Sequence, residues 1–329
     1  MRIAVTGSIA TDHLATFPGR FADQLIEGRL DSVSLSFLVD DLDVRRGGAA
    51  ANIAFGLGSL GLTPLLVGAV GADFDEYEVR LKEYGVDTGH VHVSDTRQTA
   101  RFMCTTDADQ NQIASFYAGA MTEASRIDLA RVAERGGAID LVVVSPNDPT
   151  AMLRHTEQCR ELGIPFAADP SQQLARLDRD AVRRLVGGAG WLFTNEYEAS
   201  MLLGLSGWTR EEVLVRTGMW ITTRGAEGVR IDTADAEPRY FPAVPTTRVV
   251  DPTGAGDAFR AGFLAARSWG LPLRAAVPLG CALATTALEA LGPQQYAVSP
   301  TELLERVGAA YGGEVASLLA PRLARATCR

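Results

Sequence analysis

DPTGAGDAF, residues 251–259, carries the strongest structural signal in this chain. The stretch follows a short β-prone run, Thr247–Val250, and opens a helical pattern. Its two glycines, Gly254 and Gly256, let the backbone turn so that successive N–H groups converge. The first turn of a helix also leaves N–H groups without partners and presents the positive end of the helix dipole. The stretch therefore predicts a strand-to-helix turn that binds an anion.

Asp257 lies within this turn, beside the predicted anion site. Its carboxylate can accept the proton of an attacking hydroxyl, while the N–H groups of Gly254, Ala255 and Gly256 stabilise negative charge. A base next to an anion hole is the minimal equipment for phosphoryl transfer, which is our functional hypothesis. The alternative is a glycine-rich turn in which Asp257 only caps the helix.

Outward from this turn, short apolar runs alternate with helical patterns along most of the chain. The runs are continuous and apolar, which is typical of strands in a parallel sheet covered on both faces. The alternation predicts an α/β fold with a doubly wound, mostly parallel sheet and helices on both faces. The predicted strands are Ile3–Gly7, Pro64–Gly68, Leu141–Ser145, Pro165–Ala168, Trp191–Thr194 and Met219–Thr223. The predicted helices are Ala49–Leu60, Phe74–Tyr84, Ala151–Leu162, Asp180–Val186, Ala258–Arg267, Leu273–Leu291 and Thr301–Tyr311.

Two segments depart from this alternation and predict a small β-sheet lid. Val33–Val39 begins with alternating apolar and polar residues, and Ala100–Thr105 with Ile113–Tyr117 indicates a hairpin around a polar turn. Such a lid can cover a ligand and exclude water, whereas plain edge strands are the alternative. The predicted division is a large α/β nucleotide-binding core, residues 1–10, 46–95 and 120–329, and a small lid over the acceptor site, residues 11–45 and 96–119.

Composition and charge exclude several classes of protein. The 329 residues include 31 Lys and Arg against 40 Asp and Glu, a net charge of −9, and 47% are apolar. These values are typical of a soluble globular protein, whereas a nucleic-acid binder needs a basic face. No apolar run approaches the ~18 residues of a membrane span. We therefore expect neither nucleic acid nor a membrane as a partner.

Cysteines and histidines indicate neither a metal site built by the protein nor a hydrolase. The four cysteines form no C-x-x-C pair, so we expect free thiols in a reducing cytoplasm. Among the histidines only His90 and His92 are close, and no third ligand lies near them in the sequence. The G-x-S-x-G elbow of serine hydrolases does not occur.

The D-x-x-G-A-G-D-x-F segment resembles the second signature of the ribokinase, or PfkB, family of small-molecule kinases. Other segments resemble the remaining marks of that family in the same order. Residues 47–54 resemble its first signature, residues 194–198 its N-x-x-E motif, and residues 222–228 its T-x-G-x-x-G turn. The resemblance covers nearly the whole chain and agrees with a core carrying a lid.

The resemblance implies a kinase that uses ATP with Mg²⁺. The residues implied to bind ATP are Asn195, Thr223, Gly225, Gly228 and Gly256, and Glu198 is implied to act on Mg²⁺ through water. Pro252 stands where many sugar kinases of the family have Thr or another residue, so we assign no monovalent cation. Family analogy adds a homodimer through lid strands as an expectation, and the need for ATP favours a cytoplasmic location.

Around the lid, the sequence is most similar to the actinobacterial adenosine kinases within that family. The similar segments are residues 7–12, 33–37, 99–102, 113–116 and 168–176. The similarity implies Ser8 near the base, Asp12, Gly48 and Asn52 on the ribose, and Ser36 from the lid. The implied reaction transfers phosphate to the 5′-hydroxyl of a purine nucleoside, most closely adenosine to AMP, with Asp257 as the base.

Side chains near the lid suit a nucleoside as acceptor. Phe102 and Phe116 lie on the two arms of the predicted hairpin and can sandwich a planar base, although such a pair also packs within a hairpin. Gln172 and Gln173 each carry a donor and an acceptor for a purine edge. The alternatives are a ribokinase- or fructokinase-like sugar kinase, a kinase for inosine or guanosine, and a non-catalytic ligand sensor on the same fold.

Overall fold

A computed structural model describes residues 1–25 and 35–326 of the chain. Its strands are β1 (Ile3–Thr6), β2 (Ala10–Thr16), β3 (Asp41–Gly47), β4 (Leu65–Val67), β5 (Ala69–Gly71), β6 (His92–Ser94), β7 (Ala100–Thr106), β8 (Gln112–Tyr117), β9 (Leu141–Val144), β10 (Phe166–Ala168), β11 (Trp191–Asn195), β12 (Trp220–Thr223), β13 (Val229–Thr233) and β14 (Ala236–Phe241). Its α-helices are α1 (Phe21–Gln24), α2 (Ala49–Ser59), α3 (Asp75–Glu83), α4 (Leu129–Gly136), α5 (Pro149–Glu161), α6 (Arg179–Val186), α7 (Glu196–Ser206), α8 (Arg210–Arg216), α9 (Ala255–Ser268), α10 (Leu273–Leu288), α11 (Pro300–Tyr311) and α12 (Gly313–Ala326). Short 3₁₀ segments cover Ala72–Phe74, Gly119–Arg126, Ser171–Arg176 and Gly225–Glu227.

The main sheet has eight strands in the order β14-β13-β12-β11-β10-β9-β1-β4. The run from β4 to β12 is parallel, and β13 and β14 complete one edge as antiparallel strands. The six strands predicted for the parallel sheet are present, so the predicted doubly wound, mostly parallel α/β sheet is confirmed.

Helices cover both faces of the main sheet, which explains the continuous apolar runs. Along β9, Val143 packs into the cluster formed with α2, α3, α9, α10 and α11. Its neighbours Val142 and Val144 pack into a second cluster, formed with α4, α5, α6, α7 and α8. Side chains alternate between the two faces of a strand, so a strand covered on both faces has to be apolar throughout.

A second sheet forms the lid, with four strands in the order β3-β2-β7-β8. The predicted hairpin is confirmed as β7 and β8, in which Phe102 lies directly opposite Phe116. β2 is antiparallel to β3 but parallel to β7, so the lid sheet is mixed and departs from a purely antiparallel arrangement. In register, Asp12 lies beside Phe102 on one face of this sheet, and His13 lies beside Met103 on the other.

Two predicted β segments are wrong. Residues 35–39 of the predicted strand Val33–Val39 form no strand, and residues 33 and 34 lie outside the described residues. The lid uses β3 in its place, whose sequence D-L-D-V-R-R-G carries too few apolar residues to be recognised as a strand. Thr247–Val250 is also not a strand, because the Val250 N–H donates to the carbonyl of Leu288 at the end of α10, N···O 2.8 Å. The proposed limits of core and lid stay a prediction.

Within residues 1–25 and 35–326, no helix combines the length and the apolar character needed to cross a bilayer. Three of the cysteines, Cys104, Cys159 and Cys281, are buried free thiols.

Candidate active site

The turn before α9 presents backbone donors, as its sequence predicts. Gly254 adopts a left-handed conformation with φ 76°, and a Cβ there would lie 2.4 Å from Pro293. Among the described residues, the N–H groups of Gly254, Gly256 and Asp257 have no backbone acceptor. Ala255 differs, because its N–H donates to the carbonyl of Pro252, N···O 3.3 Å. The donors free to hold an anion are therefore those of Gly254, Gly256 and Asp257 at the start of the helix.

Asp251, the first residue of the quoted stretch, organises this turn. One of its carboxylate oxygens accepts the N–H of Thr253 at 2.9 Å. The other accepts the N–H of Gly292 at 3.0 Å and the guanidinium of Arg45 at 2.9 Å. Because Arg45 belongs to β3, this carboxylate connects the lid to the anion-binding turn.

Asp257 is held by an amide and faces a buried guanidinium. Its Oδ2 accepts a hydrogen bond from Nδ2 of Asn52 on α2, 2.9 Å away. Burial raises the pKa of Asp257, and the positive charge of Arg260 and the Asn52 hydrogen bond oppose that rise. A raised pKa makes a carboxylate a stronger base than an ordinary one, which suits a general base.

Arg260 lies one turn beyond Asp257 on α9 and pairs with Asp169, which follows β10. The side chains are 7% and 1% exposed, and Nη2 lies 2.5 Å from Oδ1. Burial raises the pKa of Asp169 to about 7, while the guanidinium opposes this by favouring the carboxylate. The Nε of Arg260 is buried with no hydrogen-bond partner among the described residues. The pair therefore leaves the Nε donor of Arg260 without a partner in the described part of the chain.

Asn52 is itself fixed by a chain of buried side chains. Its Oδ1 accepts a hydrogen bond from Nε2 of Gln294, 2.8 Å away, and Gln294 also donates to the hydroxyl of Tyr77. Tyr77 in turn donates to the carbonyl of Gly47, 2.9 Å away. The amide of Asn52 therefore positions Asp257, and the contact with a ribose hydroxyl stays a prediction.

A cavity of about 580 Å³ opens between the lid and the core. Both glycine-containing signatures and the lid hairpin contribute to its walls. It is lined by Ser8, Ala10, Asp12, Gly48, Ala49, Asn52, Phe102, Phe116, Met121, Pro146, Ser171, Gln172, Gln173, Arg176, Thr253, Gly254 and Asp257. We call it the acceptor cavity.

The lid face of the acceptor cavity carries one carboxyl and two aromatic rings. Asp12, Phe102 and Phe116 occupy one cross-strand row of the lid sheet and line the cavity together. Burial raises the pKa of Asp12 to about 6, an effect that Arg45 opposes. The two rings can stack on a planar group of a ligand, and the carboxylate of Asp12 can accept hydrogen bonds from its hydroxyl groups.

The core face of the acceptor cavity carries two neighbouring amides. Gln172 and Gln173 follow β10 in the 3₁₀ segment Ser171–Arg176. Gln173 is buried, and its Oε1 has no hydrogen-bond partner among the described residues. A buried polar atom without a partner costs free energy, so it favours a ligand that donates to it. Ser8 is less available, because its Oγ accepts the N–H of Ala49 at 3.0 Å.

A smaller cavity of about 330 Å³ lies on the other side of Asp257. It is lined by Ser171, Asn195, Glu198, Thr223, Gly225, Gly254, Gly256, Asp257 and Arg260. We call it the phosphate-side cavity. Ser171, Gly254 and Asp257 line both cavities, so the two sites meet at the predicted base.

Asn195 and Glu198 form a capping box at the start of α7. The Glu198 N–H donates to Oδ1 of Asn195, and the Asn195 N–H donates to Oε2 of Glu198, both at 2.8 Å. The other carboxylate oxygen of Glu198 accepts from the Ser171 hydroxyl at 3.2 Å. The cap fixes the Glu198 carboxylate at the wall of the phosphate-side cavity.

Three predicted site residues lie outside both cavity linings. The side chain of Ser36 is exposed. The N–H of Ala255 is bonded to the carbonyl of Pro252, and Gly228 closes the turn after β12 with φ 93°. The sequence analysis missed several residues that do line a cavity or support one. These are Ser171, Arg176, Thr253, Arg260, Asp169 and Gln294.

Some of the missed residues had a signal in the sequence. Arg260 follows Asp257 by three residues, a spacing that places both on one helix face. Asp169 follows a buried parallel strand, and ligand sites in α/β sheets lie at the carboxyl ends of strands. Gln294 had no such signal, since it contacts Asn52 from 242 positions away.

Gly48 provides a test of how closely the backbone approaches the acceptor cavity. It has φ 93°, and a Cβ there would lie 2.6 Å from the Ser8 carbonyl and 2.7 Å from the Ala10 nitrogen. We expect Gly48→Ala to lower the free energy of unfolding by about 2–5 kcal/mol and to raise the acceptor KM, because the start of α2 has to move. Denaturant unfolding and steady-state kinetics measure both effects.

Gly204→Ala is the matched control for Gly48→Ala, since a Cβ on Gly204 of α7 meets no atom within 4 Å. That variant should keep or raise stability, because Ala is the better helix former. Equal unfolding free energies for Gly48→Ala and the unmodified protein would contradict the close approach.

Comparisons with known proteins agree with this geometry. The model of the pfkB family of carbohydrate kinases matches residues 8–301. A nucleoside kinase of Methanothermobacter thermautotrophicus is 34% identical over 282 residues, 82% of this chain and 86% of that protein. A nucleoside kinase of Methanocaldococcus jannaschii is 30% identical over 263 residues, 79% of this chain and 85% of that protein.

The fold agrees with a solved structure over almost its full length. The structure of Burkholderia thailandensis nucleoside kinase in complex with inosine is similar with a TM-score of 0.81 and 35% identity, covering 94% of this chain and 98% of that one. The family match also spans both glycine-containing signatures, the lid hairpin and Asp257. This chain therefore belongs to the pfkB family of carbohydrate kinases.

Proposed function

We propose that the protein transfers the γ-phosphoryl group of ATP to the 5′-hydroxyl of a purine nucleoside, with adenosine as the preferred acceptor and AMP as the product. The observation that carries this proposal is that the acceptor cavity and the phosphate-side cavity share Asp257 and Gly254. A hydroxyl in the first cavity and a phosphoryl group in the second would meet at the same carboxylate. The names of the relatives, which are nucleoside kinases, support the same acceptor class.

In the proposed reaction Asp257 takes the proton of the 5′-hydroxyl as that oxygen attacks phosphorus. The free N–H groups of Gly254, Gly256 and Asp257 and the guanidinium of Arg260 stabilise the charge on the phosphoryl oxygens. The lid excludes water, which would otherwise compete as acceptor. Asp251 supports this arrangement, because it holds both the anion-binding turn and Arg45 of the lid.

Mg²⁺ would enter this site as a complex with ATP. Within residues 1–25 and 35–326, no group of three or more His, Cys, Asp or Glu side chains could hold a metal ion alone. Glu198 has its carboxylate at the wall of the phosphate-side cavity and is suited to contact Mg²⁺ through water. The ion would supply charge neutralisation on the phosphates, and the other ATP contacts proposed are Asn195, Thr223 and Gly225.

The lid and the neighbouring glutamines support a purine as the base. Phe102 and Phe116 line the cavity on paired strands, where each can stack on a planar ring. In its present orientation Gln173 offers a buried acceptor, Oε1, with no partner among the described residues. A purine edge offers both a donor and an acceptor in adenine and in hypoxanthine, and an amide can flip to suit either, so Gln173 supports a purine, and the preference for adenosine rests on the sequence resemblance. Asp12 is proposed to accept from the ribose hydroxyls.

Turnover of ATP with Mg²⁺ against a panel of acceptors tests the proposal. The panel is adenosine, inosine, guanosine, ribose, fructose and fructose 6-phosphate. We expect adenosine to exceed every other acceptor by more than about tenfold in kcat/KM, the effect of one good hydrogen bond. Inosine as the best acceptor, as the Burkholderia complex suggests, would keep the purine site and correct the adenosine preference. A sugar as the best acceptor would contradict a nucleobase site between the lid and the glutamines. An absence of turnover with every acceptor would contradict kinase activity.

Phe102→Ala should raise the KM for adenosine by about 5- to 100-fold with a small change in kcat. Loss of one stacking ring costs about 1–3 kcal/mol of binding and leaves the reacting atoms in place. The matched control is Met103→Ala, because Met103 is the next residue of β7 and lies on the opposite face of the lid sheet. Equal kcat and KM for Phe102→Ala and Met103→Ala would contradict stacking on a base and would mean that the rings only pack within the lid.

A further inference from the structure

A separate cavity of about 450 Å³ lies at α4 and shares no residue with the acceptor or phosphate-side cavities. Four arginines line it, Arg126, Arg131, Arg135 and Arg154, against the single carboxylate of Asp128. The chain as a whole has a net charge of −9, so this wall is opposite in sign to the protein average. We call it the arginine cavity.

Two of these arginines already form ion pairs, and the carboxylates that they pair with make further contacts with other groups. Arg126 lies 3.3 Å from a carboxylate oxygen of Glu123, and Arg154 lies 3.9 Å from one of Asp128. Asp128 also caps α4 by accepting the N–H of Ala130 at 2.9 Å, and it accepts a hydrogen bond from Gln158. Little negative charge is therefore left to neutralise the rest of the wall.

Arg131 and Arg135 have no side-chain hydrogen bond or ion pair among the described residues. They are four residues apart on α4, so their charges lie one above the other on the same face. Like charges at this spacing destabilise a helix, and α4 has only 8 residues over which to offset the cost. Both side chains are exposed and solvated by water, so an anion between the two guanidinium groups would replace that water with charge-assisted hydrogen bonds and would remove the repulsion.

The shape of the arginine cavity favours one compact ligand. Its volume lies within the range of about 300–1,000 Å³ that is usual for small-molecule sites and exceeds what a single phosphate needs. Arginine forks match the oxygens of phosphate groups by paired hydrogen bonds. His90 and His92 add ring N–H groups to the same wall, although His92 already contacts Glu123 at 3.0 Å.

We propose that the arginine cavity is a second ligand site, which binds a small anion carrying two or more phosphate groups. The site is connected to the acceptor cavity through the 3₁₀ segment Gly119–Arg126. Met121 near the start of that segment lines the acceptor cavity, and Arg126 at its end lines the arginine cavity. A ligand held by Arg126 would therefore contact the segment that follows the lid strand β8.

Calorimetric titration with inorganic tripolyphosphate at low ionic strength tests the site in the full-length protein. We expect R131Q/R135Q to weaken one binding event by about a hundredfold, since two charge-assisted donors are lost and glutamine keeps the helix propensity. The matched control is R322Q/R325Q, an exposed arginine pair on α12 that lines none of the cavities described. Amide hydrogen exchange should show protection of residues 119–136 on adding tripolyphosphate, in the unmodified protein and in the control only.

Two results would overturn this proposal. One is the same number of binding events, with the same affinities, in R131Q/R135Q and in the unmodified protein. The other is loss of binding in the two double variants alike, which would mean a general effect of surface charge. Thermal unfolding of each variant confirms that the fold is retained, and binding of tripolyphosphate at the phosphate-side cavity is the event that both double variants should keep.

Discussion

Asp257→Asn is expected to lower kcat by about 10³- to 10⁴-fold and to change the KM for either substrate little. Asparagine has the shape of aspartate but cannot take the proton of the attacking hydroxyl. The Asn52 amide that now donates to Oδ2 can donate equally to the new amide oxygen, so the fold of the turn should be kept. Steady-state kinetics with ATP, Mg²⁺ and the best acceptor of the panel measure the effect.

Asp109→Asn is the control for this result. Asp109 is an exposed carboxylate in the turn between β7 and β8, where it pairs with Arg20 at 2.6 Å and lines neither cavity. Its loss should leave kcat and KM unchanged. Turnover of Asp257→Asn within tenfold of the unmodified protein would remove Asp257 from the role of base.

Arg260→Met is expected to shift the acidic limb of the pH–kcat/KM profile to higher pH. Asp257 has to be ionised to act as a base. Burial raises the pKa of Asp257 and the Arg260 charge opposes that rise, so removing the charge raises the pKa further. Activity is then lost as the pH falls through a higher midpoint, and kcat at neutral pH also falls because phosphoryl charge loses a donor.

The same substitution should lower the free energy of unfolding by about 3–5 kcal/mol, because Asp169 is left buried without its partner. This stability effect and the catalytic effect can be separated. In the double variant Asp169→Leu with Arg260→Met, two apolar side chains replace the buried pair, and most of the stability should return. The pH profile should remain shifted, since the charge near Asp257 is still absent.

Denaturant unfolding and pH profiles of the single and double variants distinguish two roles for Arg260. It either lowers the pKa of Asp257 through its charge or only stabilises the fold. A double variant that regained both its stability and the unmodified pH profile would show that Arg260 acts only through the fold. Recovery of stability with a displaced profile assigns Arg260 to the electrostatics of the base.

The sequence by itself determined the elements whose pattern is local. Continuous apolar runs such as Leu141–Val144 identified the parallel strands, because a strand buried on both faces has to be apolar throughout. The glycines of the quoted stretch identified a turn and the helix that follows it, and in the structure Gly254 adopts the left-handed conformation that few residues other than glycine adopt. The family resemblance rested on the same residues and was confirmed by the family match.

Elements that face solvent or a cavity were harder to recognise. β3 was missed because its charged residues mask the alternation of Leu42 and Val44, which are 60% and 54% exposed. Thr247–Val250 has strand propensity but satisfies its backbone at the end of α10, a partner that propensity does not reveal.

Only the tertiary structure decided what surrounds the predicted base. Asn52 proved to hold Asp257 from 205 positions away, and Asp169 pairs with Arg260 across 91 positions. These contacts depend on the meeting of α2, α9 and the carboxyl end of β10, which no spacing in the sequence encodes. Local sequence therefore specified which residues could carry the proposed chemistry, whereas long-range packing specified their burial and their charged neighbours, because both arise only when distant segments meet.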